Sequence, residues 1–73
     1  MSHIRQTIGK KLKEARKDTK MSLIDLVMSV SGSDYRVSSE TLKNWEAGRY
    51  EPRLSDLRRI AKALGKNLDY FIS

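Results

Sequence analysis

With 73 residues, 38% of them hydrophobic and 33% charged, the chain has material for one small core and no second domain, and a core of that size favours short helices joined locally. Cysteine is absent, which removes a disulfide framework and a thiolate metal site and fits a reducing compartment. Fifteen Lys and Arg against nine Asp and Glu leave a net charge of +6, the balance expected of a chain that meets a polyanion, although many basic domains bind no nucleic acid.

No apolar run reaches the roughly 18 residues of a membrane span, and MSHIRQTIGKK lacks the apolar middle of a secretion signal. A cytoplasmic protein with no membrane partner is therefore expected. In chain order, Ile4, Ile8, Leu12 and Ala15 recur at helical spacing and predict an amphipathic helix over about 4–18. Its other faces carry Lys10, Lys11, Lys13, Arg16, Lys17 and, just beyond, Lys20. The apolar stripe is narrow and holds no aromatic residue, so packing on a core is favoured over lying on a membrane.

Ser22 opens a second helix in SLIDLVMSVSG. Asp25, three residues on, stands where the acid of a capping box belongs, and Leu23, Leu26, Val27 and Val30 form the apolar set before Gly32 closes the helix. GSDYR is turn material. Ser38 is the expected N-cap of a third helix that runs to about Ala47, with Gly48 taking the left-handed conformation that ends it. RYEPR follows as a loop around the only proline. Leu54, Leu57, Ile60, Ala61 and Leu64 predict a fourth helix ending at Gly65, and Asn67 is the expected cap of a short fifth one in NLDYFIS. The fold expected is all-α, a compact five-helix domain over residues 1–73, with no strand, repeat or low-complexity segment.

The third helix has two unlike sides. On a helical wheel Leu42 and Trp45 fall together with Ser38, while Glu40, Lys43, Asn44 and Ala47 gather opposite, with Ser39 at their edge. The first side packs inward; the second is rich in groups that donate and accept hydrogen bonds. Such a face is ordinarily just solvated. Here a short helix and a Gly-containing turn precede it, the arrangement that presents a second helix to the major groove of DNA.

IGKKLKEAR, SLIDL from Ser22, TLKNWEAG from Thr41 to Gly48, Pro52 and LRRIAKALGKNLDYFI follow one another in that order. By these motifs the chain from Ile8 to Ile72 resembles the helix-turn-helix domains of the Cro and phage-repressor type, the XRE family, whose fold is described as lambda-repressor-like. The resemblance implies a helix-turn-helix over about 22–48 that binds double-stranded DNA in a transcriptional regulator, expected to be a repressor. The family usually binds as a dimer, which implies a palindromic operator with half-sites about one turn, ~34 Å, apart.

By that resemblance Ser39, Glu40, Lys43 and Asn44 meet base edges. Asn suits the N6 and N7 edge of adenine, Lys donates to guanine O6 and N7, Glu accepts from the cytosine amino group, and Ser pairs with either kind of edge. Glu40 is repelled by phosphates and so serves to select against wrong sites. Ser22 with the start of the second helix, and Arg49, Tyr50 and Arg53 after the third, are the expected phosphate contacts. Arg16 is expected to pair with Glu46 and orient the reading helix, without a gain in stability following from that.

Three features depart from the family pattern. The turn between the second and third helices is several residues longer, and it either bulges outward or carries Tyr35 and Arg36 to the DNA backbone as extra contacts. Leu23 stands where many members have a Gln that touches DNA and braces the third helix. Lys20 stands where a Gly often ends the first helix, a substitution that costs up to ~2 kcal/mol if the backbone there is left-handed.

Catalysis is not expected: the single histidine, His3, lies near the terminus, and there is neither a phosphate loop nor a paired-carboxylate arrangement. No cofactor, metal or small-molecule ligand is implied. The rival from another class is a protein-interaction module such as an antitoxin or adaptor, against which the basic loop with Arg49 and Arg53 counts. RNA fits less well, since the deep groove of an RNA duplex does not admit a helix. Phe71 is assigned to the core, while Tyr70 and Ile72 are left between core and dimer contact. The chain as a whole regulator, or as the amino-terminal part of a longer one, is also left open.

Overall fold

The computed structural model describes residues 2–72, with side chains from residue 7 onward, as five helices: α1 (Ser2–Asp18), α2 (Leu23–Val30), α3 (Ser39–Glu46), α4 (Leu54–Leu64) and α5 (Leu68–Ile72). There is no strand among the described residues. The side chains of His3 and Ile4 lie outside them.

Local chemistry sets most of the helix boundaries. At α2 the Ser22 hydroxyl accepts the Asp25 N–H at 3.0 Å, and the Ser22 N–H donates to Asp25 Oδ2 at 3.1 Å, so two otherwise orphaned donors are satisfied reciprocally. Those bonds hold the Asp25 carboxyl below its ordinary pKa. At α3 the Ser38 hydroxyl accepts the Thr41 N–H at 3.1 Å and pairs with the Thr41 hydroxyl at 2.9 Å. At α4 the residue before the helix is Arg53, which has no side-chain acceptor, and the cap comes from inside: Asp56 Oδ2 accepts the Arg53 N–H at 3.0 Å.

Three helices end in one way, a left-handed residue flanked by two crossing hydrogen bonds. Gly48 (φ 78°) follows α3, with Gly48 N–H donating to Trp45 O at 3.1 Å and Arg49 N–H to Asn44 O at 3.0 Å. Gly65 (φ 68°) follows α4, with Lys66 N–H donating to Ala61 O at 2.8 Å. Lys20 (φ 58°) does the same after α1, with Met21 N–H donating to Arg16 O at 3.1 Å. A side chain thus occupies a conformation that suits glycine. The end of α2 differs from expectation: Ser31, in extended backbone, closes the helix, and Gly32 is not left-handed. Its N–H instead donates to Tyr35 O at 2.7 Å and shapes the following turn.

The core draws on all five helices: Ile8, Leu12 and Ala15 of α1, Leu26 and Val30 of α2, Leu42 and Trp45 of α3, Leu57, Ile60, Ala61 and Leu64 of α4, and Phe71 of α5. Tyr70 is half-buried, its ring edge-on to Phe71 at 5.0 Å and 4.8 Å from the Lys66 ammonium. Ile72 is 53% exposed. Of the pair left between core and dimer contact, Tyr70 thus packs partly on the core and Ile72 stays at the surface.

Gly9, not singled out above, governs how α1 meets α3. A Cβ placed on it would lie 2.8 Å from the Glu46 carbonyl oxygen and closer still to that of Trp45, so α1 rests directly on the backbone at the end of α3. Alanine at an open mid-helix glycine stabilises by ~1 kcal/mol. Gly9→Ala is instead expected to destabilise by roughly 1–3 kcal/mol, because rigid carbonyls must move. Lys20→Gly should act oppositely and stabilise by ~0.5–1 kcal/mol, the relief of left-handed strain less the added freedom of the unfolded chain. Urea unfolding of the two variants checks both signs.

Candidate nucleic-acid interface

α3 is seated by its two buried residues, Leu42 and Trp45, and fastened at its end by Arg16. Arg16 Nε donates to Glu46 Oε2 at 2.7 Å and Nη2 to Oε1 at 3.2 Å, a two-pronged pair whose side chains are only 14% and 8% exposed. The third arm, Nη1, donates to the Met21 carbonyl at 2.9 Å, beside the left-handed Lys20. One guanidinium therefore joins the body of α1, the turn after it and the last residue of α3. The hydrogen bond to Glu46 holds the Arg16 proton above its ordinary pKa, against the effect of burial.

With α3 so fixed, its outer side opens into a recess lined by Ser39, Glu40, Lys43, Asn44, Arg49 and Leu23. The four residues expected at base edges thus share one surface with one of those expected at phosphate. Glu40, Lys43 and Arg49 are exposed, and Ser39 and Asn44 half-buried. Arg49 Nη1 donates to Asn44 Oδ1 at 3.3 Å. Since arginine only donates, this contact orients the carboxamide, leaving its NH2 group turned elsewhere and a second lone pair on its oxygen.

Ser22, Tyr50 and Arg53 do not line the recess. All three are exposed, Tyr50 at 62%, in the loop before α2 and the loop before α4. The Ser22 hydroxyl is used in the α2 cap.

The long turn between α2 and α3 folds back on the scaffold. Tyr35 is half-buried, its hydroxyl donates to Asp56 Oδ1 at 2.6 Å, and the Arg59 guanidinium lies 4.3 Å from its ring centre. Arg36, next to it, is exposed. Asp56 thereby holds two things at once, the turn through Tyr35 and the start of α4 through Arg53 N–H. Sequence reasoning missed this role for Asp56 because Arg53 is not a capping residue. The signal was an acid three residues into an apolar helix, the acid half of a capping box without its partner.

Burial first, and then the bond to Asp56, push the Tyr35 phenol up from 10.0 to about 12, with Arg59 opposing. A value raised on folding means that the folded state favours the neutral phenol, so this contribution is complete below pH 10 and is lost as pH rises towards about 12. The stability of the wild type should therefore fall more steeply over that window than that of Tyr35→Phe. Parallel denaturant melts of the two proteins at stepped pH test it, and equal slopes would contradict it.

Among the described residues no group of His, Cys, Asp and Glu is placed to hold a metal ion, and no helix is long and apolar enough to cross a membrane. No curated protein and no solved structure matches the chain. A family description, helix-turn-helix domain, matches residues 9–73, from the glycine seated on α3 through the recess and beyond α5. The chain belongs to that helix-turn-helix domain family, in keeping with the Cro and phage-repressor type that its sequence resembles.

Proposed function

We propose that this domain, residues 1–73 as one unit, binds double-stranded DNA sequence-specifically in a cytoplasmic transcriptional regulator, with α3 in the major groove. The observation that carries the reading is the convergence of Ser39, Glu40, Lys43, Asn44 and Arg49 on one recess at the second helix of the helix-turn-helix. Major-groove edges offer donors and acceptors in a pattern unique to each base pair, and this mixed surface has the groups to match them. Asn44 reads adenine, Lys43 guanine, Glu40 rejects sites that offer it no cytosine amino group, and Ser39 adapts to either kind of edge.

Backbone contacts frame the reading helix. Ser22 and the start of α2 lie against one phosphate; Arg49, Tyr50 and Arg53 hold the other side, with Arg36 within the long turn as a further cation. Tyr35 serves by fixing that turn to Asp56, and Arg16 by orienting α3 through Glu46. The protein acts as a repressor by occupying its operator, an inverted repeat read by two copies of the chain. No catalytic step is assigned to it.

A binding titration against a randomised duplex pool at two salt concentrations tests the reading. The wild type should enrich an inverted repeat. Asn44→Ala should relax preference at one position of each half-site, a loss of about 1–3 kcal/mol of discrimination. Arg53→Ala should weaken every sequence alike and lower the salt slope by about one. Enrichment of no sequence, with affinity vanishing as salt rises, would reduce the net charge to non-specific attraction and return the α3 face to a protein-docking role.

A further inference from the structure

Leu23 stands apart from the other residues that line the recess. Its neighbours there, Ser39, Glu40, Lys43, Asn44 and Arg49, all carry hydrogen-bonding groups, whereas the Leu23 side chain is wholly aliphatic. It is half-buried, packed against the core on one side, and it is the first residue of α2, directly after the capping Ser22. The Ser22–Asp25 capping box fixes the backbone there, so the position of Leu23 is set. An aliphatic side chain in that place makes no hydrogen bond to a phosphate or to a polar base edge. The one apolar group that the major groove presents at a base edge is the C5 methyl of thymine.

We infer that Leu23 is a specificity-determining residue that selects thymine through its methyl group at one position of each half-site. The inference rests on the DNA-binding reading above and deepens it. The polar residues of α3 distinguish bases by hydrogen bonds, and Leu23 adds a preference that hydrogen bonds do not supply, since thymine and uracil differ only by that methyl. Burying one methyl against leucine corresponds to an affinity difference of about three- to tenfold. With alanine at position 23 the contact is out of reach and the difference disappears.

The test uses the inverted repeat enriched by the wild type, with each thymine replaced in turn by deoxyuridine, and measures binding of the wild type, Leu23→Ala and Leu23→Gln. At one thymine of each half-site the replacement should weaken the wild type about three- to tenfold. The same replacement should change binding of either variant less than about twofold. A residue that merely braced α3 would lower affinity for the thymine and uracil duplexes alike, so the difference between them isolates the methyl contact. Should Leu23→Ala fail to fold, Leu23→Gln, which puts a polar carboxamide where the leucine methyls stand, supplies the comparison. The inference is overturned if no thymine shows a uracil effect in the wild type, or if the effect persists in the variants, while specific binding itself stands. If no duplex is enriched, the DNA-binding reading falls and this one with it.

Discussion

Everything at the candidate interface depends on how α1 meets the carbonyl end of α3. Gly9 lets the two backbones come so close that a single added carbon would collide with the Trp45 and Glu46 carbonyls. Two turns further along α1, Arg16 closes its fork on the Glu46 carboxylate. α3, Ser39–Glu46, is too short to hold a helical conformation by itself, so its shape and direction come from these contacts and from burial of Leu42 and Trp45. Removing two charges from water offsets most of what their attraction returns, so the pair is better understood as a device for direction than for stability. A lysine would not replace it, because a point charge cannot make two parallel bonds to Glu46 and a third to the Met21 carbonyl.

The turn before α3 and the loop after it are held by a second carboxylate. Asp56 reaches back to the Arg53 N–H and outward to the Tyr35 hydroxyl, so the long turn that enters α3 and the loop that leaves it towards α4 share one anchor. The Arg59 guanidinium covers the Tyr35 ring and completes the attachment. A turn of this length would ordinarily leave the angle between α2 and α3 loosely set. Here Glu46 fixes the end of the helix and Asp56 fixes its approach, leaving the side between them, Glu40, Lys43 and Asn44, to face outward. The contact from Arg49 to Asn44 Oδ1 is a further piece of orientation, set on the surface before any partner arrives.

Much of this was legible in the sequence, because it rests on rules local to a few residues. Ser22 with Asp25, Ser38, Gly48 and Gly65 announced helix ends by side chains or backbone freedom that act within one turn, and the apolar positions from Ile8 to Leu64 followed helical spacing. What escaped was set by distant partners. Gly9 lies beside the apolar stripe of α1, and the reason for it is the backbone of α3, far away in the chain; a glycine inside a good helix pattern was the only sign. Gly32 looked like a helix end, yet the turn needed its N–H for Tyr35 rather than a left-handed backbone. Asp56 and Arg59 meet Tyr35 across the α2–α3 connection, which no periodicity reports. The pairing of Arg16 with Glu46 was suggested by family likeness and by the place of Glu46 beside the buried face of α3, since either residue taken singly is an ordinary surface charge. Leu23 was legible as one of the apolar positions of α2 and as a missing glutamine, and its place in the recess emerged from the fold.

Whether the braced α3 is the part of the domain that meets DNA is decided by an NMR titration of isotope-labelled protein with the duplex it enriches. The largest amide shifts should fall at Ser39, Glu40, Lys43, Asn44 and Arg49, with smaller ones at Ser22 and Arg53 and little change along the lysine-rich outer face of α1. Shifts concentrated on α1 or α5, with α3 undisturbed, would contradict a DNA-binding α3.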